Sequence, residues 1–299
     1  MIRTSACCLS AIAFLLLAAE VPSYADGPDV VSNPDLTVNW TDGTLSIRGN
    51  FPRGEICINY LEAYCRPGST DRDWRETIIG HKGTLISNDA NGRVVRLKDA
   101  VNDGTTVEHT ITANDDEIDF QLLAHNPTDK ESLSHWAQPC IRIDKFTGSS
   151  TEDHDAIQPK YIRKCFLFID DTLTRLPTTP WADKAFYRYG QVYCPKHVDR
   201  NDVNPRPLSP LVPSNGLCGC FSADEKQIMA VAWEPYQEIF QGVVTCLHSD
   251  FRLGGLKPGE TKKIRGKIYI VPSDVDKLVA RYKKDFPEQI DSPKAGQRK

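Results

Sequence analysis

Val107-Glu-His-Thr-Ile-Thr-Ala113 and Ile118-Asp-Phe-Gln-Leu122 flank the polar segment Asn114-Asp-Asp-Glu117, and both alternate apolar with polar residues. A period of two sends successive side chains to opposite faces, the pattern of a strand buried on one side. Val107, His109 and Ile111 share one face, as do Ile118, Phe120 and Leu122 beyond the turn. The stretch reads as a β-hairpin. Asn126-Pro-Thr-Asp129 ends it, because proline lacks the donor a ladder needs and Asn and Asp favour turns.

The same pattern recurs on either side. Leu36–Trp40, Leu45–Arg48, Glu55–Tyr60, Glu76–Ser87 and Arg93–Leu97 are strand candidates upstream. Downstream they are Ser134–Asp144, Gln227–Trp233, Glu238–Leu247 and Lys263–Val271. Gln227–Trp233 is apolar on both faces, as a central strand is. In the last run Ile264, Ile268 and Ile270 face inward while Lys263, Arg265 and Lys267 face out. Short strands separated by turns such as Leu256-Lys-Pro-Gly-Glu260 predict an all-β fold, a large antiparallel β-sandwich. One C-terminal amphipathic helix is added: Ser273 can cap it, Val275, Leu278, Val279 and Tyr282 form its apolar stripe, and Pro287 stops it.

The first residues, MIRTSACCLSAIAFLLLAAEVPSYA, read as a secretory signal peptide over 1–25: Arg3, a short apolar run, and small residues Ser23 and Ala25 before the cleavage point. Of 299 residues about 274 remain. They are expected to form one β-sandwich domain over 26–286, followed by a polar, disordered tail over 287–299. The expected location is outside the cytoplasm, secreted or periplasmic. A net charge of −4 gives no footprint for nucleic acid, and no later run is long and apolar enough to cross a membrane.

Cys7 and Cys8 leave with the signal, and Cys57, Cys65, Cys140, Cys165, Cys194, Cys218, Cys220 and Cys246 remain. An even number in an oxidising compartment predicts disulfides, with Cys57–Cys65 the first pairing to test and roughly a hundred full connectivities open. A competing reading makes Cys194, His197, Cys218 and Cys220 a zinc set, since C-x2-H plus C-x-C offers four suitable donors. Serine-hydrolase, P-loop, zincin, dinucleotide and EF-hand motifs are absent, so no cofactor is implied. The long loop Val198–Ser214, rich in proline and Asn/Asp, is of the kind that carries function.

Ser134-His-Trp-Ala-Gln-Pro-Cys-Ile-Arg-Ile-Asp144 holds the densest set of candidates. As a strand it turns Ile141 and Ile143 to the core and Trp136, Gln138, Arg142 and Asp144 to the other face. An indole beside amide, guanidinium and carboxylate groups suits a sugar ring and its hydroxyls or uronate carboxylate. Trp233, Glu234 and Tyr236 follow a buried strand and extend the candidate surface; His81 and His248 lie near turns. Tyr187, Arg188, Tyr189 and Tyr193 form a further aromatic–basic strip. For each, ordinary core packing or a cross-strand ion pair is the competing reading.

The V-E-H-T-I-T hairpin, the strand ending Ala124-His-Asn-Pro-Thr-Asp, the run with His135 and Arg142, the late buried strand, His248 and the Leu256–Glu260 turn together resemble the galactose-mutarotase-like β-supersandwich over Leu36–Val271. The resemblance implies a carbohydrate-binding or carbohydrate-active protein, with sugar epimerases and polysaccharide lyases among the members. Of the paired histidines and glutamate of the mutarotase subgroup, only His135, His248 and Glu234 stand as counterparts, without matching motifs around them. Catalysis is thus assigned to these three and sugar binding to Trp136, Gln138, Arg142, Asp144, Trp233, Tyr236 and His81. The alternative is a non-catalytic envelope module held by disulfides, in which these groups scatter over unrelated surfaces.

Overall fold

In the computed structural model the alternating runs become two antiparallel sheets; the residues it describes are 35–68, 72–149, 160–180, 191–242 and 244–290. The signal peptide and Tyr187, Arg188 and Tyr189 lie outside them. With strands numbered along the chain, the first sheet runs β1 (Thr37–Thr41), β2 (Thr44–Arg48), β3 (Glu55–Cys65), β9 (Trp136–Arg142), β16 (Cys246–Arg252), β15 (Tyr236–Gln241), β12 (Gln191–Tyr193). A short β4 (Ile78–Ile79) pairs with the end of β3. The second sheet runs β11 (Thr172–Arg175), β10 (Cys165–Ile169), β13 (Cys218–Phe221), β14 (Gln227–Glu234), β17 (Thr261–Pro272), β8 (Glu117–His125), β7 (Thr106–Ala113), β6 (Val94–Val101), β5 (His81–Asn88).

The hairpin that opened the sequence reading is β7–β8, with Ile111 opposite Phe120 and Ala113 opposite Ile118. Its inward residues join one core between the sheets, where Ile58, Ile141, Leu247 and Phe251 of the first sheet meet Ile111, Phe120, Ile264 and Ile268 of the second. Trp233 sits in this core, its ring 5.0 Å from Phe120 and 4.9 Å from Phe251. Gly266 makes room for it, since a Cβ there would stand 2.3 Å from the indole.

Helix α4, Val275–Asp285 (after the short α1, Trp74–Thr77, α2, Asp144–Thr147, and α3, Lys160–Lys164), packs on the outer face of the second sheet. Leu278 and Tyr282 are buried there among Tyr269, Val271 and Phe286. Asp274, not Ser273, caps it by accepting from Lys277 N. The stretch expected as tail opens with a 3-10 turn, Pro287–Gln289, whose Gln289 amide donates to Trp233 O and Glu234 Oε2.

Two sequence runs divide. Glu76–Ser87 is split into the end of α1, β4 and β5, and Glu238–Leu247 is broken after Gln241 into the hairpin β15–β16. The second division matters for the site. It sets Glu238 opposite Asp250 on neighbouring strands, where a single strand would have left them apart.

Candidate functional site

Because Ile141, Leu247 and Phe251 point into the core, their neighbours along β9 and β16 point to the opposite, outer face of the first sheet. Gln138, Cys140 and Arg142 come from β9, and Cys246, His248, Asp250 and Arg252 from β16. Gln237 and Glu238 come from β15, where a register shift between Tyr236 and Glu238 lets two consecutive side chains reach the same neighbours. The loop after Val198 lies over this face. Asn204 N donates to Glu238 Oε2 at 3.0 Å and its amide nitrogen to Gln138 Oε1 at 3.2 Å.

One end of the face is acidic. His135 Nδ1 donates to Asp202 Oδ2 at 3.0 Å, Arg252 donates to the same oxygen at 3.1 Å, and Gln237 bonds both Asp202 O and Arg252. Gly255 closes over His135 with φ +72°, and a Cβ there would stand 2.7 Å from the imidazole Nε2. Beside this group Glu238 and Asp250 are both fully buried. Burial pushes the Glu238 carboxyl up to about 8, opposed by its bond from Asn204 and reinforced by the Asp202 charge. Burial likewise raises Asp250, with the Glu238 charge adding to it. At neutral pH this end therefore holds at least one carboxylic acid in its protonated form.

The other end is rich in sulfur. His248 Nδ1 lies 3.0 Å from Gln138 Nε2, and its Nε2 lies 3.3 Å from Cys246 Sγ. A hydrogen bond with Cys140 holds the Cys246 thiol well below its ordinary range against the burial that raises it, and the charge of His248 works in the same sense. Burial pulls His248 down, but the Cys246 sulfur more than offsets it, so the imidazole is raised. Cys140, Cys246 and His248 are buried, Arg142 is half-buried, and Asn59 and Glu62 of β3 are exposed at the mouth. Gln138 joins the two ends, since it bonds both Asn204 and His248.

Of the residues expected from sequence, Gln138, Arg142, His135 and His248 gather on this face. His135 and His248 do not form a pair: β16 pairs beside β9 so that five residues of strand separate them, about 16 Å. Trp136 shares the parity of Gln138, but it is sealed beneath Ala63, Cys65, Trp74 and Ile78. Asp144 leaves the strand to open α2. Trp233 is core, and Tyr236 is buried with its ring edge-on to His197 at 4.9 Å. Glu234 ends a strand of the second sheet and is held by Gln289. His81, on the edge strand β5, packs against Tyr64 at 5.1 Å. Asp144, Trp233, Glu234 and His81 lie away from this face, while Trp136 and Tyr236 are buried, as Glu238 and Asp250 also are.

The cysteine expectations are also corrected. The eight cysteines of the described residues are free. Cys57 and Cys65 lie eight residues apart on one strand, about 26 Å, so they cannot bridge. The competing zinc set disperses: Cys194 packs with Val192, Val198 and Phe240, His197 donates to Tyr236 O, and Cys218 and Cys220 lie in the main core. A second buried polar group, Tyr60, Tyr64, Asp99 and His109, is closed inside the sandwich and bonded within itself.

The sequence reading missed Glu62, Asp202, Asn204, Glu238, Asp250 and Arg252 as site residues. A signal for part of the set was present. Cys246-Leu-His-Ser-Asp-Phe-Arg252 alternates polar and apolar residues in period two, which marks one polar strand face.

No family model matches the chain, and no curated protein matches its sequence. Among solved structures it is similar to the Slr1438 protein of Synechocystis sp. PCC 6803, at 10% identity and TM-score 0.45 over 80% of this chain and 92% of that one. It is similar to galactose mutarotase-like proteins of Lactobacillus casei (8% identity, TM-score 0.41, 79% of this chain and 99% of that one) and Clostridium acetobutylicum (8%, 0.41, 80% and 99%). These include structures of the kind the sequence resembles. The chemistry is carried by this chain's own residues.

Proposed function

We propose that this is an exported carbohydrate-active protein that binds a sugar on the outer face of its first sheet and moves protons on it, as a sugar epimerase does. The observation that carries the reading is the acidic end of the face. There a carboxyl that stays protonated at neutral pH, Glu238, and an imidazole oriented by a carboxylate, His135 with Asp202, belong to one hydrogen-bonded network. Opening and reclosing a sugar ring, or inverting a carbon beside a carbonyl, requires an acid and a base acting together. Glu238 supplies the acid and His135 the base. Arg142 lies at the sulfur end, seven residues along the chain from His135 and about 23 Å away, too far to hold a substituent of a sugar ring seated there.

The assignment transfers the proposed acid from Glu234 to Glu238, and removes His248 from acid–base duty because both its nitrogens are engaged. The envelope-module alternative expects the candidates to scatter, as six of them do; the sugar reading is preferred on Gln138 and His135 gathering with Asp202, Asn204 and Glu238. Export belongs to the proposal on the sequence of residues 1–25 alone.

The test follows mutarotation of freshly dissolved aldoses and uronic acids by polarimetry with the chain lacking residues 1–25, alongside a glycan-binding screen. Expected is acceleration that falls by about 10²–10⁴-fold in Glu238→Gln and in His135→Ala. A rate unchanged in both variants, or no binding and no acceleration with any sugar, overturns the proposal.

A further inference from the structure

Cys140, Cys246 and His248 converge from two adjacent strands at the sulfur end of the face. One ligand atom from each lies within 4.8 Å of the other two, and all three residues are buried. Cys246 and His248 are i and i+2 on β16, so both project from one face. Cys140 projects beside them from β9, next to the Leu247–Ile141 register pair.

We propose that these three residues bind a thiophilic divalent cation, zinc. Zinc takes four ligands at about 2.0–2.3 Å, which sets neighbouring donors roughly 3.5–3.8 Å apart. His248 Nε2 and Cys246 Sγ already lie 3.3 Å apart. Two thiolates and an imidazole form a suitable three-donor set, with the fourth position free for a carboxylate or water. Glu62 is near this cluster, its carboxylate 3.4 Å from Gln138 Nε2, but it is not within reach of all three donors.

An independent feature lies behind the histidine. A metal-bound imidazole hands its other N–H to a partner, commonly a carboxylate, which fixes the ring. Asp250 Oδ1 lies 3.9 Å from His248 Nδ1. Both Asp250 oxygens are buried and without a hydrogen-bond partner among the described residues. A cation on Nε2 places a proton on Nδ1, which the Gln138 side chain, 3.0 Å away, accepts in a hydrogen bond when its amide is turned to present Oε1. It also supplies positive charge to a buried group of sulfur and carboxylate ligands. The cation site sits apart from Glu238 and His135 and does not depend on the sugar reading.

The experiment uses the chain lacking residues 1–25, purified reduced under argon without chelators and titrated with Co2+ and then Zn2+. One Co2+ per chain is expected, with thiolate-to-cobalt charge-transfer absorption and intense tetrahedral d–d bands that Zn2+ abolishes. Cys140→Ser and Cys246→Ser, checked for native fold by circular dichroism, lose the charge-transfer band. Gln138→Leu weakens zinc binding about 10–100-fold, and Cys57→Ser leaves it unchanged. Wild-type protein that shows no thiolate–cobalt band overturns the proposal, as does a band that survives both serine variants. A Cys140–Cys246 disulfide in protein kept under argon overturns it too. Glu238→Gln separates the two readings, since it is expected to lose mutarotation while binding cobalt as the wild type does.

Discussion

Glu238 and Asp250 face each other across β15 and β16, both fully buried, and neither oxygen of Asp250 meets a hydrogen-bond donor among the described residues. Two carboxyls placed together out of water cannot both ionise cheaply. The pair therefore keeps a proton in the folded state, and on Glu238 that proton has consequences for stability and for rate.

For stability, the Glu238 carboxyl is raised from 4.5 to about 8 in the fold. Between these values the unfolded chain has released the proton and the folded chain keeps it. The stabilisation is complete below the lower value and is lost as pH rises through the upper one. This group alone contributes a slope of up to about 1.4 kcal/mol per pH unit across that window. Urea unfolding at a series of pH values should show it, and Glu238→Gln should flatten the profile.

For rate, a proton donor with that value loses its proton near pH 8. Mutarotation should hold its rate up to that region and decline above it. A rate that keeps rising into alkaline solution would exclude Glu238 as the acid.

Gly255 supports His135 through close packing and a left-handed backbone, φ +72°. Gly255→Ala should cost about 1–3 kcal/mol of backbone strain and displace the imidazole from Asp202. Calorimetry reads the first effect. Loss of acceleration out of proportion to the stability loss reads the second.

Trp136 is sealed beneath Ala63, Cys65, Trp74 and Ile78. Trp136→Ala should destabilise the protein by about 3–5 kcal/mol while leaving sugar affinity of the folded fraction unaltered. Equal loss of affinity in a protein of native stability would return the indole to the binding surface.

Thiol titration separates the cysteines by burial. In denaturant, the reduced chain lacking residues 1–25 should present eight thiols. In the native protein Cys57, the half-buried member of the set, should be alkylated first.

The sandwich was legible because period two survives wherever one face is dry. Val107 to Leu122 and Ile264 to Ile270 show it without exception at their inward positions. The site was legible only in part, for a related reason. Gln138 and Arg142 lie on a strand whose core face was already identified, so their own face followed. Glu238 reads in the sequence as the start of a strand that in fact begins at Tyr236, contains a bulge and turns after Gln241. Its pairing with Asp250 depends on that turn. Asp202 and Asn204 belong to a loop, where no periodicity tells which side chains fold back onto a sheet. Trp136 and Trp233 misled because a tryptophan near a strand end has the same sequence whether it meets a ligand or a layer of apolar neighbours.

The helix Val275–Asp285 lies against the outer surface of the second sheet, so the molecule has a front and a back. The described residues end at Ile290, just after the 3-10 turn that follows this helix. A fluorophore, bead or surface linker joined after Ile290 would leave the mouth around Asn59 and Glu62 unobstructed, which makes that end the natural point of attachment for immobilised binding assays.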